Sequence, residues 1–250
     1  MLTSIFQEFL YRPLFNLLVF LYETVSFYDL GIAIILLTII IRVALFPLSQ
    51  KAIKSQKELF KIQPKIKEIQ EKFKDNKEEQ VKRTMALYKE KGVNPFSGCL
   101  PILVQLPILI ALYWVFMAGF DNSNLSNLYS FMKNPGDINY MFLNWIDISE
   151  KNVYIALIAG FFQFFQSKMM LDQQKKNRKS FKENKPAKKD SQKNPMDDIS
   201  ISISKQMTYI MPVITVIIAS SLQAGLALYW ATTTLFSVLQ QWYVFKQKEK

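Results

Sequence analysis

Arg42 is the residue whose surroundings in the sequence are hardest to reconcile with an ordinary helix face. Three isoleucines precede it, and valine, alanine and leucine follow it. An arginine at the centre of a lipid-exposed helix costs about 3 kcal/mol on insertion scales, so we expect Arg42 to face a bundle interior or a wet cavity. The alternative is snorkelling, because Arg42 lies roughly 9 Å from the end of its apolar segment at about 1.5 Å per residue.

No acidic residue is placed to pair with Arg42 inside an apolar segment. The four apolar segments that follow it along the chain contain neither Asp nor Glu. A buried charge is ordinarily paired with a group of opposite sign. The sequence therefore predicts that the partner of Arg42 is transient and acidic, and that it comes from another molecule.

Other polar side chains within the apolar segments extend this prediction from one residue to a groove. Thr38 lies one helical turn before Arg42 on the same face. The further members are Gln105, Gln163, Gln166, Tyr229, Trp230, Thr232, Thr233 and Thr234. For each glutamine or threonine taken alone, hydrogen bonding between helices is a better explanation than a role in a groove. Together with Arg42 they predict a hydrophilic groove at membrane depth.

The composition removes most catalytic chemistry. The chain has no histidine and a single cysteine, Cys99, which excludes His-ligated metals, imidazole acid–base catalysis and an internal disulfide. Seven glycines form no phosphate-cradling loop. We therefore expect no catalytic residue, no metal and no cofactor.

Charged and apolar residues fall in separate blocks along the chain. Half of the residues are hydrophobic, yet 20% are charged and the net charge is +11. Apolar segments of about 20 residues are long enough to cross about 30 Å of hydrocarbon. The sequence predicts an all-α integral membrane protein with five transmembrane helices. Its predicted segments are the N-terminal interfacial helix 1–27, the first span 28–48, the cytoplasmic helical hairpin 49–96, the second span 97–119, the extracytoplasmic loop 120–151, the third span 152–170, the flexible basic cytoplasmic loop 171–204, the fourth span 205–222, the fifth span 225–245 and the cytoplasmic tail 246–250.

The distribution of Lys and Arg predicts the orientation. The loops 49–95 and 171–205 hold 13 and 10 of them, whereas 120–152 holds two and 246–250 holds three. Cytoplasmic loops carry the positive excess, so the N-terminus is expected outside and the C-terminus inside. The N-terminal segment has only about ten consecutive apolar residues, which favours a helix lying on the membrane surface over a span.

The first basic loop has the periodicity of an antiparallel helical hairpin. Apolar residues recur at intervals of four, three and four residues at Ile62, Ile66, Ile69 and Phe73. A weaker second stripe consists of Val81, Met85 and Tyr88. The alternative is a solvated charged loop. The second basic loop, 171–204, shows no periodicity and has the composition of a flexible linker.

Four stretches of the sequence resemble the YidC-type membrane protein insertases of the oxidase-assembly/YidC/Albino superfamily, in a compact bacterial form. They are GIAIILLTIIIRVALFPLSQK, QPKIKEIQEKFKD, LYKEKGVNPFSGCLPILVQLPILIALYWVF and GLALYW followed after four residues by LFSVLQQWY. The resemblance covers residues 24–245 in the right order and spacing. It implies an intramembrane groove that receives nascent single- or few-span membrane proteins and releases them into membrane lipid.

The resemblance also implies roles for individual residues. Arg42 matches the groove arginine of these insertases, Thr38 its companion, Gln166 the groove glutamine of the third span, and Trp230 the aromatic residue of the fifth. The hairpin matches the element that receives substrates and contacts translocation partners, so the ribosome and the Sec translocon are candidate partners; DNA is not. The expected location is the bacterial cell membrane, with several spans.

The sequence departs from the family pattern at the last span. Gln223 stands where a proline commonly precedes Ala-Gly, and Thr233 and Thr234 stand where asparagines are often found. The large outer domain of Gram-negative members has no counterpart. A small membrane channel or transporter remains the alternative function, although a coupled transporter would usually show intramembrane acids or internal repeats.

Overall fold

A computed structural model of the chain describes residues 2–94, 96, 100–119, 126–183 and 195–246. Parts of several predicted segments, including Cys99 and residues 184–194, lie outside the described residues. The described chain is mostly helical. Its elements are α1 (Leu2–Phe6), a π-helical turn (Gln7–Tyr11), α2 (Arg12–Thr24), α3 (Leu30–Ala44), α4 (Phe46–Lys72), α5 (Lys77–Glu90), α6 (Leu100–Ala118), β1 (Met141–Phe142), β2 (Ile146–Asp147), α7 (Val153–Glu183), α8 (Pro195–Ser221) and α9 (Ala224–Lys246).

The core of the bundle lies where α2, α3, α6 and α9 meet. Its largest buried side chains include Phe15, Leu37, Leu112 and Tyr229. The outward faces of α6, α7 and α8 are also apolar. Large side chains remain exposed there: Leu103, Ile110, Ile158, Phe161, Ile214 and Ile217. A helix that is apolar all round is found in a large core or in a membrane.

Hydropathy and length alone single out few helices as spans. Among the described residues one helical stretch, Val153–Asn177, is long and apolar enough to cross a bilayer. The consecutive helices α3 and α4 pass the same test together but are bent by 64° at their junction. Shorter apolar stretches occur at Leu103–Met117 and Thr208–Ser221. These features fit an all-α membrane protein.

At the end of the bundle that is opposite the α4–α5 hairpin, here called the far end, hydrogen bonds hold the loop that follows α6. Asn16 is buried in α2; its Nδ2 donates to the carbonyl of Asn127 at 3.0 Å, and its Oδ1 accepts from the Tyr129 amide at 2.8 Å. The Arg12 Nε donates to the same Asn127 carbonyl at 3.1 Å. The loop that follows α6 is thus fastened to the N-terminal helices.

Asp29 joins the same loop to the start of α3. Its Oδ1 accepts from the Ile32 amide at 2.9 Å as the N-cap, and its Oδ2 accepts from the Leu143 amide at 2.7 Å. Gly31 is required beside it, because a Cβ atom there would collide with the ring of Phe142. The short β1–β2 hairpin, with Phe142 opposite Ile146, therefore rests directly on the first turn of α3.

Helix boundaries differ from the predicted segments on the hairpin side. The α4 helix begins at Phe46, immediately after α3, because Pro47 has no N–H to bond back to α3 and its ring crowds the preceding turn. The third predicted span, 152–170, is the first part of the longer α7, which continues to Glu183. The predicted flexible loop 171–204 is therefore helical at both described ends, since α8 begins at Pro195.

The helices α4 and α5 are joined by a short turn and pack side by side. The Gln80 Nε2 donates to the carbonyl of Gln70 at 2.8 Å across the pair. Leu87 is the buried residue of α5, whereas Val81 and Met85 are more than half exposed. Val81 and Met85, two members of the weaker predicted stripe, thus lie on the exposed side of α5, whereas Tyr88 is half-buried like Gln80 and Thr84.

Candidate functional site

Arg42 lies in the last turn of α3, beside the bend to α4. Its side chain is partly buried, and its Nε atom is fully buried with no hydrogen-bond partner in the part of the chain that the structure describes. Thr38 lies one turn earlier and is completely buried. Its hydroxyl donates to the Ile34 carbonyl of its own helix at 2.6 Å, so this donor is already used and the side chain presents no polar surface to solvent.

A shallow depression lies against the Arg42 side chain, and it leaves only about 20 Å³ of room for the centre of a water molecule. Its lining comes from three helices: Arg42 and Leu45 at the end of α3, Leu48, Ser49 and Ala52 from α4, and Leu100, Val104 and Gln105 from α6. The wall is mostly apolar, with Arg42, Ser49 and Gln105 as its polar members. A guanidinium in such surroundings interacts more strongly with an acidic group than it would in water.

Two residues of α9 complete the polar surroundings of Arg42. Tyr229 is buried, its hydroxyl accepts from the Gln105 Nε2, and it lies within electrostatic range of Arg42. Thr233 follows one turn later on the same face. Its buried hydroxyl lies near that of Tyr229, but the two are not oriented to form a hydrogen bond. The structure therefore brings Arg42, Gln105, Tyr229 and Thr233 together.

Trp230, Gln163 and Gln166 make no side-chain hydrogen bond to this cluster within the described residues. Trp230 is half-buried, and its carbonyl accepts from the Thr234 hydroxyl at 2.9 Å. Gln163 and Gln166 lie half-buried on α7. Within the described residues neither glutamine hydrogen-bonds to Arg42 or Tyr229, so their part in the groove still rests on the sequence.

The predicted docking stripe of the hairpin is partly covered. Ile62 is buried, and Ile66, Ile69 and Phe73 are half-buried. The ring of Phe73 lies 6.0 Å from the guanidinium carbon of Arg83 on α5. The stripe therefore contributes to the contact between the two hairpin helices.

Sequence reasoning missed a continuation of the polar face of α9. Ser237, Gln240 and Gln241 are all buried. The Ser237 hydroxyl donates to the Thr233 carbonyl at 2.9 Å, and the Gln240 Nε2 donates to the Phe46 carbonyl at 3.2 Å. Spacing was the signal that could have found them, because they follow Tyr229 and Thr233 at helical intervals.

The geometry defines a class of site that binds by charge and polarity. Four buried polar atoms without partners occur among the described residues: Arg42 Nε, Thr233 Oγ1, Gln241 Oε1 and Asn177 Nδ2. No group of three His, Cys, Asp or Glu side chains suited to a metal occurs in the described ranges. The fold and the site together are those of a helical membrane protein with a cationic, polar recess beside a helix bend.

Comparison with known proteins identifies the family. Residues 20–250 match the family model described as the 60Kd inner membrane protein. The chain is similar to the membrane protein insertase YidC of Fusobacterium nucleatum subsp. nucleatum, at 32% identity over 245 residues that cover 96% of this chain and 99% of that protein. The chain belongs to the 60Kd inner membrane protein family.

Longer relatives match over their shared part only. The insertase YidC of Actinobacillus pleuropneumoniae serotype 3 is 31% identical over 245 residues, which are 97% of this chain and 38% of that protein. The insertase YidC of Francisella tularensis subsp. novicida is 36% identical over 217 residues, which are 86% of this chain and 32% of that protein. The chain thus spans about a third of the length of these two relatives.

Proposed function

We propose that this protein is a membrane protein insertase that receives nascent membrane proteins at the Arg42 recess and releases their apolar segments sideways into the bilayer. The observation that carries the proposal is the Arg42 guanidinium. Its Nε is buried and unpartnered in the described part of the chain, and Gln105, Tyr229 and Thr233 surround it. The relatives that match most of the chain are named membrane protein insertases.

The proposed mechanism is physical and has no covalent step. The positive charge of Arg42 attracts an acidic or polar tail, and the low dielectric around it strengthens the attraction. Polar side chains in the recess reduce the cost of bringing the tail's polar groups out of water. The apolar segment then enters lipid, gaining about 0.8 kcal/mol per buried CH₂. The tail leaves because its contacts in the recess are few.

The proposed topology is five spans with the N-terminus outside and the C-terminus inside, in a bacterial cell membrane. The asymmetry of Lys and Arg supports it, with 13 and 10 in the two loops proposed as cytoplasmic and two in 120–152. Single cysteines in a Cys99→Ser background test it. A cysteine at exposed Phe131 should react with an impermeant thiol reagent from outside, and one at exposed Asp75 only after the membrane is opened. The reverse pattern would invert the orientation.

The hairpin and the basic loops are proposed as contacts for partners. The lysine-rich surface of α4 and α5 suits an anionic partner such as ribosomal RNA or anionic lipid, and the Sec translocon is a further candidate. A topological role alone also accounts for the lysines. Lys→Gln changes in 172–200 separate the two. Loss of ribosome co-sedimentation at unchanged topology supports a contact, and unchanged co-sedimentation supports topology alone.

Reconstitution tests the proposed function directly. Purified protein in liposomes should insert a short single-span substrate with an acidic N-terminal tail, without ATP. The same liposomes should show no ion flux above that of protein-free liposomes. Flux without insertion would replace the proposal with a channel. An otherwise identical substrate with a lysine tail is the matched control, and it should insert less, because Arg42 repels it.

A further inference from the structure

The bend between α3 and α4 controls where the hairpin leaves the bundle. The two helices meet at Leu45 with an angle of 64° between them. Pro47 breaks the hydrogen-bonding pattern of α3 but does not choose an angle by itself. Contacts with other helices therefore help to set the direction of α4, which packs against α7 as well as against α9.

Gln240 supplies a contact of that kind. It is only 4% exposed, it lies on α9, and its Nε2 donates to the carbonyl of Phe46, the first residue of α4, at 3.2 Å. The two residues are 194 positions apart in the sequence. Leaving a buried amide unpaired costs about 1–3 kcal/mol, so the folded state favours the angle at which this bond forms.

The bend also shapes the recess at Arg42. One wall of the depression consists of Leu48, Ser49 and Ala52, within the first two turns of α4. Arg42 itself lies on α3, before the bend. A change in the angle between the helices therefore moves this wall relative to the guanidinium and changes the width of the recess.

We propose that Gln240 is a positioning residue, which fixes the angle of α4 from α9 and so holds the recess at Arg42 at its working width. The effect on insertion rests on the proposed function, whereas the effect on the angle does not. Gln240 needs no contact with the substrate for this role.

The neighbouring Gln241 is a matched control. It is 5% exposed and lies on the same helix, but its Oε1 has no hydrogen-bond partner among the described residues. Methionine resembles glutamine in length and cannot donate a hydrogen bond. Gln240→Met and Gln241→Met thus each remove one buried side-chain amide. Of the two, Gln240 is the one that bonds to the Phe46 carbonyl at the bend.

Pulsed electron spin resonance on the full chain in liposomes measures the angle. Spin labels at Asp75→Cys in the hairpin turn and Lys168→Cys on α7, in a Cys99→Ser background, report the hairpin distance. A second pair, Lys168→Cys with Ile217→Cys on α8, reports the bundle alone. We expect Gln240→Met to shift or broaden the first distance by several ångströms and to leave the second unchanged.

The insertion assay is run on the same samples. Gln240→Met should lower the insertion rate several-fold, and Gln241→Met should leave the hairpin distance unchanged. An unchanged hairpin distance in Gln240→Met would overturn the proposal, as would an equal shift in Gln241→Met or a change in both distances. A shifted hairpin with normal insertion would refute the positioning role alone. Failure of the unsubstituted protein to insert would instead refute the proposed function.

Discussion

The two ends of the bundle differ in whether their buried polar side chains are hydrogen-bonded. At the far end, Asn16 and Asp29 each make two side-chain contacts to the loop or to the start of a helix, and the Tyr22 hydroxyl accepts from the Asn139 amide at 2.8 Å. From the middle of the bundle to the hairpin side, Arg42 and Gln241 keep buried atoms without partners in the described residues. Among the described residues, buried side-chain atoms without partners occur at Arg42, Asn177, Thr233 and Gln241 and not at the far end.

This difference indicates that the hairpin side serves insertion and that the far end stabilises the fold. Unsatisfied buried polar atoms cost free energy, and a protein keeps them where water or another molecule will satisfy them. The contrast predicts that changes near Arg42 alter insertion more than stability, and that changes at the far end do the reverse.

Arg42→Ala should produce the largest functional loss. A hydrogen bond to a charged group contributes about 1.5–3 kcal/mol, so insertion of substrates with acidic tails should fall about tenfold or more. Arg42→Lys should retain much of the rate if charge matters more than guanidinium geometry. The measurement is the insertion rate into liposomes across substrates with different tails.

An arginine outside the recess provides the control for that experiment. Arg83 on α5 is exposed, and its Nε bonds to the Glu79 carboxylate at 2.7 Å. Arg83→Ala removes one positive charge and the contact with Phe73 without touching the recess, so it should leave the preference for acidic tails unchanged. Equal activity of Arg42→Ala and the unsubstituted protein on every acidic-tail substrate would end the electrostatic part of the mechanism.

Asp29→Ala should have the largest effect on stability. It removes an N-cap and the bond to the Leu143 amide, which together contribute about 2 kcal/mol. Thermal unfolding in detergent should therefore begin at a lower temperature. Substrate preference should stay unchanged among molecules that remain folded. Glu23→Ala is the control, because Glu23 lies six residues earlier, near the end of α2, and no ion pair or side-chain hydrogen bond of Glu23 is seen in the described chain. A change in tail preference with Asp29→Ala would contradict the division between the ends.

Tyr229→Phe should have a smaller effect, on insertion. It removes the hydroxyl that accepts from Gln105 and leaves that amide unpaired, at a cost of about 1 kcal/mol. Insertion should fall a few-fold. Tyr243→Phe is the control on the same helix, where the side chain is half exposed. Combining Tyr229→Phe with Gln105→Leu should lose less than the sum of the single changes, and strict additivity would show that the two residues act separately.

The local pattern of apolar and polar residues predicted many of the helices, but few of the long-range hydrogen bonds that hold them together. The all-α class and the recess of Arg42, Gln105 and Tyr229 follow from apolar segments and from the polar residues inside them. The bond from Gln240 to Phe46 and the bonds of Asn16 to the far loop join residues more than 100 positions apart. Periodicity describes one element at a time, so it cannot show such pairs. The stripe of Val81 and Met85 failed for the same reason, since the partner helix decides which face is inward.

The distance in sequence between Phe46 and Gln240 also bears on how the protein is made. A ribosome synthesises α3 and its arginine nearly two hundred residues before the α9 residues that complete the recess. On the proposed topology, Arg42 enters the membrane before Tyr229 and Thr233 have been made. The growing chain is then itself a multi-span client of the insertion machinery, and the proposed bond from Gln240 forms only after the last helix has packed. Depleting the pre-existing insertase should delay the maturation of newly made copies.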